Sequence, residues 1–421
     1  MAQRFGLARR IQFQIGLIIA LVIAGVTFIS YRQTVDTMLE EALEHLRVTT
    51  RTRAAFEANA FVQAQDNTKA LREEYLRRLA DMGDFDPREE FDAWFVRYPD
   101  GLVRVRPERD DHKRLPSIYI RAAVGPSAEL RRQVVVAFRL LREWGPAMTL
   151  RYYSAYIDLP GMSLIMYSPS VNWGKEADSS TNNFDYPPVQ NSAPDKNPQR
   201  KSLWTEVYFD DKAGIWMLSI ITPMDQGRWI GTASQDIAVD ELIRRTTNDY
   251  APGTYNLVID QQGRLVAHPR LMEKIRKSAG NLDIKSLGDV ELAGFLQAAS
   301  SASAEGAVLE SPDGTNYLGI ARIQGPDWYF VTVYPKSLLQ QRGLASARAI
   351  LIGGALGLVL ELTLLAWIIR RQVAEPLKAL NSAAQSISEG DMQVQIHNVG
   401  ADELGHLGRS FMHMTQKLRE R

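Results

Sequence analysis

Histidine occurs six times, at positions 45, 112, 268, 397, 406 and 413, scattered over segments of different character, and cysteine does not occur at all. A thiolate metal site, a cysteine nucleophile and a disulfide are therefore excluded. His406 and His413 share one amphipathic helical stretch, where a solvated face is expected in preference to metal ligation or phosphorylation. No Walker loop, zincin pair, Gly-x-Ser-x-Gly elbow or Gly-Gly-Asp-Glu-Phe run occurs. The expectation is no catalytic residue, no metal and no cofactor. What remains is binding chemistry. Tyr152, Tyr153, Tyr156, Trp173, Trp204 and Trp216 offer aromatic faces to a cation, although an aromatic in a strand is more often core. Arg151 and Asp158 flank the tyrosine strand and could orient a polar ligand, although surface charges there are the commoner outcome.

These residues sit between two long apolar runs, Ile11 to Ser30 and Ala349 to Ile369, each about the length that crosses a bilayer as a helix. Glu361 alone brings a formal charge into either run and should face a partner helix, snorkel or be protonated. Arg4, Arg9 and Arg10 precede the first run and Arg370 and Arg371 follow the second, so the basic bias places both ends in the cytoplasm and the middle outside. No small-x-small cleavage site follows Phe28-Ile29-Ser30, which favours an uncleaved anchor. A multi-pass protein of a bacterial inner membrane is expected, with residues 1–10 cytoplasmic, spans at 11–30 and 349–369, and residues 31–348 in the periplasm. Net charge is zero and no basic block lies beyond the membrane flanks, so nucleic acid is excluded as a partner.

Past the first run, Val35, Leu39, Leu43 and Leu46 recur every three or four residues, and Leu71, Tyr75 and Leu79 resume the stripe. This predicts a stalk helix over 31–82, its continuity least marked from Ala54 to Gln65. A hairpin follows around Pro99-Asp100-Gly101. Leu130 to Trp144 reads as a helix, and Thr149 to Ile157, Ser163 to Tyr167, Trp204 to Tyr208, Trp216 to Ile221 and Trp229 to Gln235 read as strands. Residues 168–202, rich in Asn, Asp, Ser and Pro, are too long for a hairpin turn and could form a lid. A second hairpin opens at Tyr255, and strands at Ala307 to Glu310, Tyr317 to Ile323 and Trp328 to Tyr334 close a smaller unit. Two α+β units are expected, a distal module at 83–245 and a proximal one at 246–338.

Trp204-Thr205-Glu206-Val207-Tyr208-Phe209-Asp210, the strand ending Thr222-Pro223, Ile230 to Ile237, and Ile259-Asp260-Gln261-Gln262-Gly263 with His268-Pro269 together resemble the bacterial double-Cache sensors, tandem PAS-like modules on a long N-terminal helix. Beyond the second run, Val373, Leu377, Leu380, Ala384 and Ile387, then Leu404, Leu407, Phe411, Met414 and Leu418, form two heptad seams. With Pro376 near the start, Gly390-Asp391 ending the first helix and Glu403 opening the second, residues 370–421 resemble a HAMP linker. That resemblance implies an all-α parallel four-helix bundle built by two chains, hence a homodimer.

In amino-acid-binding double-Cache sensors, a tyrosine on one strand and an aspartate ending a later strand hold the ligand's ammonium. Tyr208 and Asp236 match them, and the resemblance implies a distal pocket to which Trp204, Tyr156 and Trp173 contribute. The family's upstream Arg-x-Trp-Tyr cluster is missing, which puts a standard α-amino acid in doubt while leaving a cation-binding pair. The plainer alternative has Asp236 capping the helix at Val239 and Tyr208 filling the core. The function implied is a membrane receptor that senses a small periplasmic molecule and relays the signal through HAMP to a cytoplasmic module. The alternative is the regulatory input half of a membrane-bound enzyme (serine/threonine phosphatase, histidine kinase or diguanylate cyclase) whose catalytic domain follows Arg421.

Overall fold

The computed structural model describes residues 7–210, 212–302, 306–389 and 402–419. Residues 43–338 form one compact unit, and residues 1–42 with 339–421 form another. Helix α1 (Leu7–Met82) is continuous over 76 residues. The stretch from Ala54 to Gln65, least marked in the sequence, holds Ala54, Ala58, Phe61 and Ala64, all buried at helical spacing. Three alanines and Phe61 keep the apolar face through this stretch, and the alanines allow close approach.

The larger sheet follows α2 (Arg88–Trp94). Its first strands are β1 (Phe95–Arg97), β2 (Val103–Val105) and β3 (Ser117–Ile120). Helix α3 (Ala128–Met148) intervenes before β4 (Ser154–Leu159) and β5 (Ser163–Tyr167). Short helices α4 (Trp173–Glu176) and α5 (Pro187–Asn191) lead to β6 (Leu203–Trp204), β7 (Tyr208–Asp210), β8 (Ile215–Asp225) and β9 (Trp229–Ala238). Among the described residues the order is β1-β2-β3-β5-β4-β9-β8-β6, antiparallel throughout, with β7 also on β8. Strand β3 was not foreseen: all four of its side chains are buried, so no alternation marks it. The expected single strand from Trp204 to Tyr208 is broken at Thr205–Val207, and Thr205 still donates its N–H to the Ser219 carbonyl at 3.0 Å.

Ser127 caps α3 by accepting the Leu130 N–H at 3.2 Å. The apolar side of this helix (Leu130, Val134, Phe138, Leu141) joins Leu71, Tyr75 and Leu79 of α1 against Ala155, Ile157 and Ile165 of the sheet. Helix α6 (Asp240–Asn248) connects to a second, five-stranded sheet. It contains β10 (Tyr255–Ile259), β11 (Leu265–Ala267), β12 (Ala307–Glu310), β13 (Asn316–Ile323) and β14 (Trp328–Pro335) in the order β11-β10-β14-β13-β12. Helices α7 (Met272–Lys277) and α8 (Val290–Ser301) lie between β11 and β12, and Ile275, Leu292 and Phe295 bury one face of the sheet.

The other face of that sheet, through Ala321, Ile323 and Phe330, meets Ala54, Ala58 and Phe61 of α1, which also touch Leu218, Ile220 and Ile237 of the larger sheet. Helix α1 is thus a common spine. Buried Glu57 on α1 accepts from Arg245 Nε of α6 at 2.9 Å, a pair whose rupture would strand a buried charge. Close approach depends on Gly319, where a Cβ would fall 2.4 Å from Thr50 Oγ1 and 3.0 Å from Leu46.

In the other unit, α9 (Lys336–Ile369) is followed by a wide helical turn, Arg370–Ala374, and α10 (Glu375–Ser388). Pro376 occupies the first turn of α10, and the widened turn before it spares a carbonyl from clashing with its ring. Helix α11 (Glu403–Arg419) opens with Glu403, and Asp402 Oδ1 accepts the Gly405 N–H at 2.8 Å. Gly390 lies outside the described residues. The spans Phe13–Met82 and Arg348–Ser388 each contain a window long and apolar enough to cross a membrane. Leu21, Phe28, Leu356 and Leu360 are exposed there, as lipid-facing side chains would be. Gly354 adjoins Thr27 of α1, so that glycine serves packing within one chain.

Gly319→Val should lower the stability of the 43–338 unit by about 1–3 kcal/mol by forcing α1 off the sheet. Gly125→Ala, where a Cβ meets nothing within 4 Å, should leave the melting temperature unchanged in the same calorimetric scan. Equal melting temperatures for all three proteins would show that α1 is not held by this contact.

Candidate ligand-binding site

Strand alternation sorts the larger sheet into two chemically opposite faces. In β4, Ala155, Ile157 and Leu159 point toward α3 and α1, so Ser154, Tyr156 and Asp158 occupy the other side. The register Ser154↔Asp236, Tyr156↔Ser234 and Asp158↔Thr232 continues this polar face into β9, and Ser219↔Asp236 and Tyr208↔Met217 extend it through β8 to β7. Nearly all of it is buried: Ser154, Thr232 and Ser234 are fully inaccessible, and Asp236 is 5% and Asp158 4% exposed.

Asp236 lies at the centre of a hydroxyl cluster. Ser154 donates to its Oδ2 at 2.5 Å, while Ser219 at 2.6 Å and Tyr156 at 3.2 Å donate to Oδ1. Ser219 spends its proton on Asp236, so the 3.0 Å contact between Ser219 and Tyr208 is donated by the tyrosine. Burial raises the Asp236 carboxyl above its ordinary range despite these hydrogen bonds, and raises the Tyr156 and Tyr208 hydroxyls as well. All three donors are neutral, and no lysine or arginine pairs with this carboxylate among the described residues.

Asp158 lies four positions along β4 from the residue opposite Asp236. Asn183, within residues 168–202, donates from Nδ2 to Asp158 Oδ1 at 2.5 Å and to the Ser163 carbonyl at 3.2 Å, fastening that segment over the polar face. Desolvation, with the nearby Asp236 charge adding to it, pushes the Asp158 carboxyl up to about 7. Tyr119 shares this face through the row Tyr119↔Leu164↔Asp158. Its hydroxyl is buried with only the Asn183 backbone as a hydrogen-bond partner, and Asn183 Oδ1 is buried without one.

The structure therefore brings Tyr208, Asp236 and Tyr156 together. Trp204 is elsewhere: it pairs with Ile220 on the opposite face and meets the Phe61 ring edge-on at 5.7 Å. Tyr152 likewise turns to α1, donating to the Ala60 carbonyl at 2.9 Å, and Trp216 belongs to the same apolar cluster. Trp173 opens α4 in the covering segment, its indole Nε1 buried without a partner. Asp236 does not cap the following helix: its carboxylate is consumed by β4 and β8 hydroxyls, and α6 has no side-chain cap. Arg151 is exposed as expected, but Asp158 is not the surface charge its position at a strand end suggested. Residues 168–202 cover it. Ser154, Ser219, Tyr119 and Asn183 were not singled out. The readable signal was the alternation Ser154/Tyr156/Asp158 and Thr232/Ser234/Asp236, polar residues in step with apolar ones on strands whose both faces are buried.

Residues 368–420 match the HAMP domain family, in agreement with the reading of the C-terminal segment. The methyl-accepting chemotaxis protein PctB of Pseudomonas aeruginosa is 23% identical over 223 residues, covering 51% of this chain and 33% of that relative's length. Among solved structures, the ligand-binding domain of the Pseudomonas fluorescens chemoreceptor CtaA in complex with L-serine is similar at 19% identity and a TM-score of 0.35, over 48% of this chain and 80% of that one. The ligand-binding domain of Mlp24 with asparagine is similar at 14% identity and a TM-score of 0.35, over 75% and 99%.

The raised Asp158 carboxyl has a thermodynamic consequence of definite sign. In the unfolded chain it ionises near its ordinary value of about 4, so between there and about 7 the folded state holds the extra proton. The associated stability is full below the lower value and is lost as pH rises through the upper. Asp158→Asn removes this titration. Its melting temperature relative to the unsubstituted protein should climb from pH 5 to pH 8, by an amount on the order of a few kcal/mol. Parallel melting curves across that range would mean that Asp158 is ionised in the folded protein.

Proposed function

We propose that this chain is the sensing and membrane-spanning part of a homodimeric receptor of the bacterial inner membrane. Residues 43–338 are the periplasmic sensor, two tandem Cache modules carried on α1, with the distal module at 83–245 and the proximal one at 246–338. The ligand is a small molecule bearing a cationic group, and it binds the polar face of the larger sheet at Asp236 and Tyr208. The observation that carries this reading is the hydroxyl-lined carboxylate itself. A buried acid with three neutral donors and no ion-pair partner among the described residues, under a polar segment held by Asn183, Asn172 and Arg104, is a poor way to stabilise a core and a suitable way to hold an ammonium.

Three further observations support a relay. Two apolar helices bracket the sensor, a HAMP match follows the second, and the related PctB is a methyl-accepting chemotaxis protein. HAMP helices from two chains then form a parallel four-helix bundle, with Pro376, Gly390 and Glu403 at its helix boundaries. The output favoured is a chemotaxis-type signalling module in the cytoplasm. Ligand biases two packings of the bundle, and can do so only through a difference in its affinity for the two states.

Thermal-shift measurements on the purified chain in detergent, with butylamine, 1,4-diaminobutane, 4-aminobutanoate, L-serine and L-asparagine, test the site. At least one amine should raise the melting temperature, by an amount equivalent to about 2.7 kcal/mol at a hundredfold excess over its Kd. Asp236→Ala should abolish the shift and Tyr208→Phe should weaken it. A shift that persists in Asp236→Ala would place the ligand elsewhere.

A further inference from the structure

A single ammonium at Asp236 leaves the other end of the buried face unexplained. Asp158 is there, 4% exposed, with no lysine or arginine in ion-pair contact among the described residues. Beside it are an unpartnered polar atom on a nearly inaccessible residue, Oδ1 of Asn183 (3% exposed), and the buried hydroxyl of Tyr119 (2% exposed), which has no side-chain partner and is met only by the Asn183 backbone. Natural interiors rarely leave such an atom unpaired, and here it accompanies a buried carboxyl and a buried hydroxyl on one face. An ammonium has three N–H donors and no acceptor, which is the complement of that set. At strand rise the two aspartates' rungs are about 13 Å apart. The rings of Tyr156 and Tyr208 lie toward the Asp236 end, and their faces suit methylene chains and cations alike.

We propose that the ligand is a linear dication of the diamine class, with one ammonium at Asp236 and the second at Asp158, Tyr119 and Asn183. The proposal rests on the assignment of this face as the ligand site and names the ligand's chemistry. An α-amino acid fits poorly, because its carboxylate would enter a face whose charged groups are both acids. Arg121, next along the chain from β3, is the cation acting on this end: it opposes only slightly the burial and the Asp158 charge that raise the Tyr119 hydroxyl, donates to the Gly161 carbonyl at 3.2 Å and lines an open cleft with Arg228 at the β4–β5 turn. The remaining charged or titratable neighbours are Tyr186 of the covering segment, which acts on Tyr119 and Tyr208, and Asp210 of β7, which acts on Asp236. None supplies a second cation. Asp158 must shed its proton to receive an ammonium, so diamine affinity should rise with pH through neutrality, whereas a monoamine seated at Asp236 gains nothing from Asp158.

Isothermal titration calorimetry of the full chain in lipid nanodiscs, with 1,4-diaminobutane, 1,5-diaminopentane, butylamine and 4-aminobutanoate at pH 6 and pH 8, tests this. At pH 8 the better diamine should bind at least tenfold tighter than butylamine, and this advantage should shrink severalfold at pH 6. Asp158→Asn should erase the advantage and leave butylamine unchanged. Tyr119→Phe, which removes only a hydroxyl, should weaken the diamine alone and covers the case in which Asp158→Asn folds poorly. Equal binding of diamines and butylamine, or no diamine binding at millimolar concentration, overturns the dication. So does tighter binding of 4-aminobutanoate that survives Asp158→Asn and is lost in Arg121→Ala. In these cases the Asp236 site stands if Asp236→Ala still removes whatever binds; binding indifferent to Asp236→Ala would remove the site itself.

Discussion

Two carboxylates buried on one sheet face, with no ion-pair partner among the described residues, are the constraint around which the larger sheet is organised. Strand alternation forces the choice: once Ala155, Ile157 and Leu159 are committed to the apolar side, Ser154, Tyr156 and Asp158 can only face the other way. That side is not solvated, because residues 168–202 lie over it and are tied down by Asn183. The acids therefore pay full desolvation, and the neighbouring hydroxyls of Ser154, Ser219 and Tyr156 offset only part of it. A fold selected for stability alone would place apolar residues there, since buried ionisable groups rarely improve on them.

The helix that meets these strands from behind is also the one that carries the first apolar run. Within residues 43–338, Ala54, Ala58, Phe61 and Ala64 of α1 share one buried cluster with Leu218, Ile220 and Ile237 of the larger sheet and Ala321, Ile323 and Phe330 of the smaller one. Glycine and alanine at these crossings leave little slack, and packed interiors switch between discrete arrangements rather than deforming smoothly. The Glu57–Arg245 pair links α1 to the helix joining the two sheets, so a shift of β9 has a short mechanical route to the spine. Gln235, one residue from Asp236 and facing α1, accepts from Asn67 at 3.3 Å.

Much of this was legible from sequence, for reasons particular to each segment. The hairpin at Asp100-Gly101 was readable because Gly101 adopts a positive φ of 87° that the turn requires. Strands β8 and β9 were readable from their β-branched and aromatic runs, though both extend beyond the expected ends. Strand β3 was missed because a four-residue strand buried on both sides has no period. Tyr208, Asp236 and Tyr156 were named together, whereas Trp204 was misplaced because residue type does not reveal which face a two-residue strand presents. Asp158 was passed over for a tertiary reason: nothing local announces that a segment ten or more residues later will cover it.

Moving a two-state equilibrium from one part in a hundred to the reverse takes about 5.5 kcal/mol of differential binding. Asp158, raised to about 7, holds its proton below that pH and a buried charge above it, so a cationic ligand gains most there once the carboxyl has ionised. An ordinary surface ion pair would yield at most about 1 kcal/mol, because water already solvates both charges. An ion pair formed at a buried carboxylate, where water does not already solvate both charges, is thus the stronger lever on a conformational equilibrium.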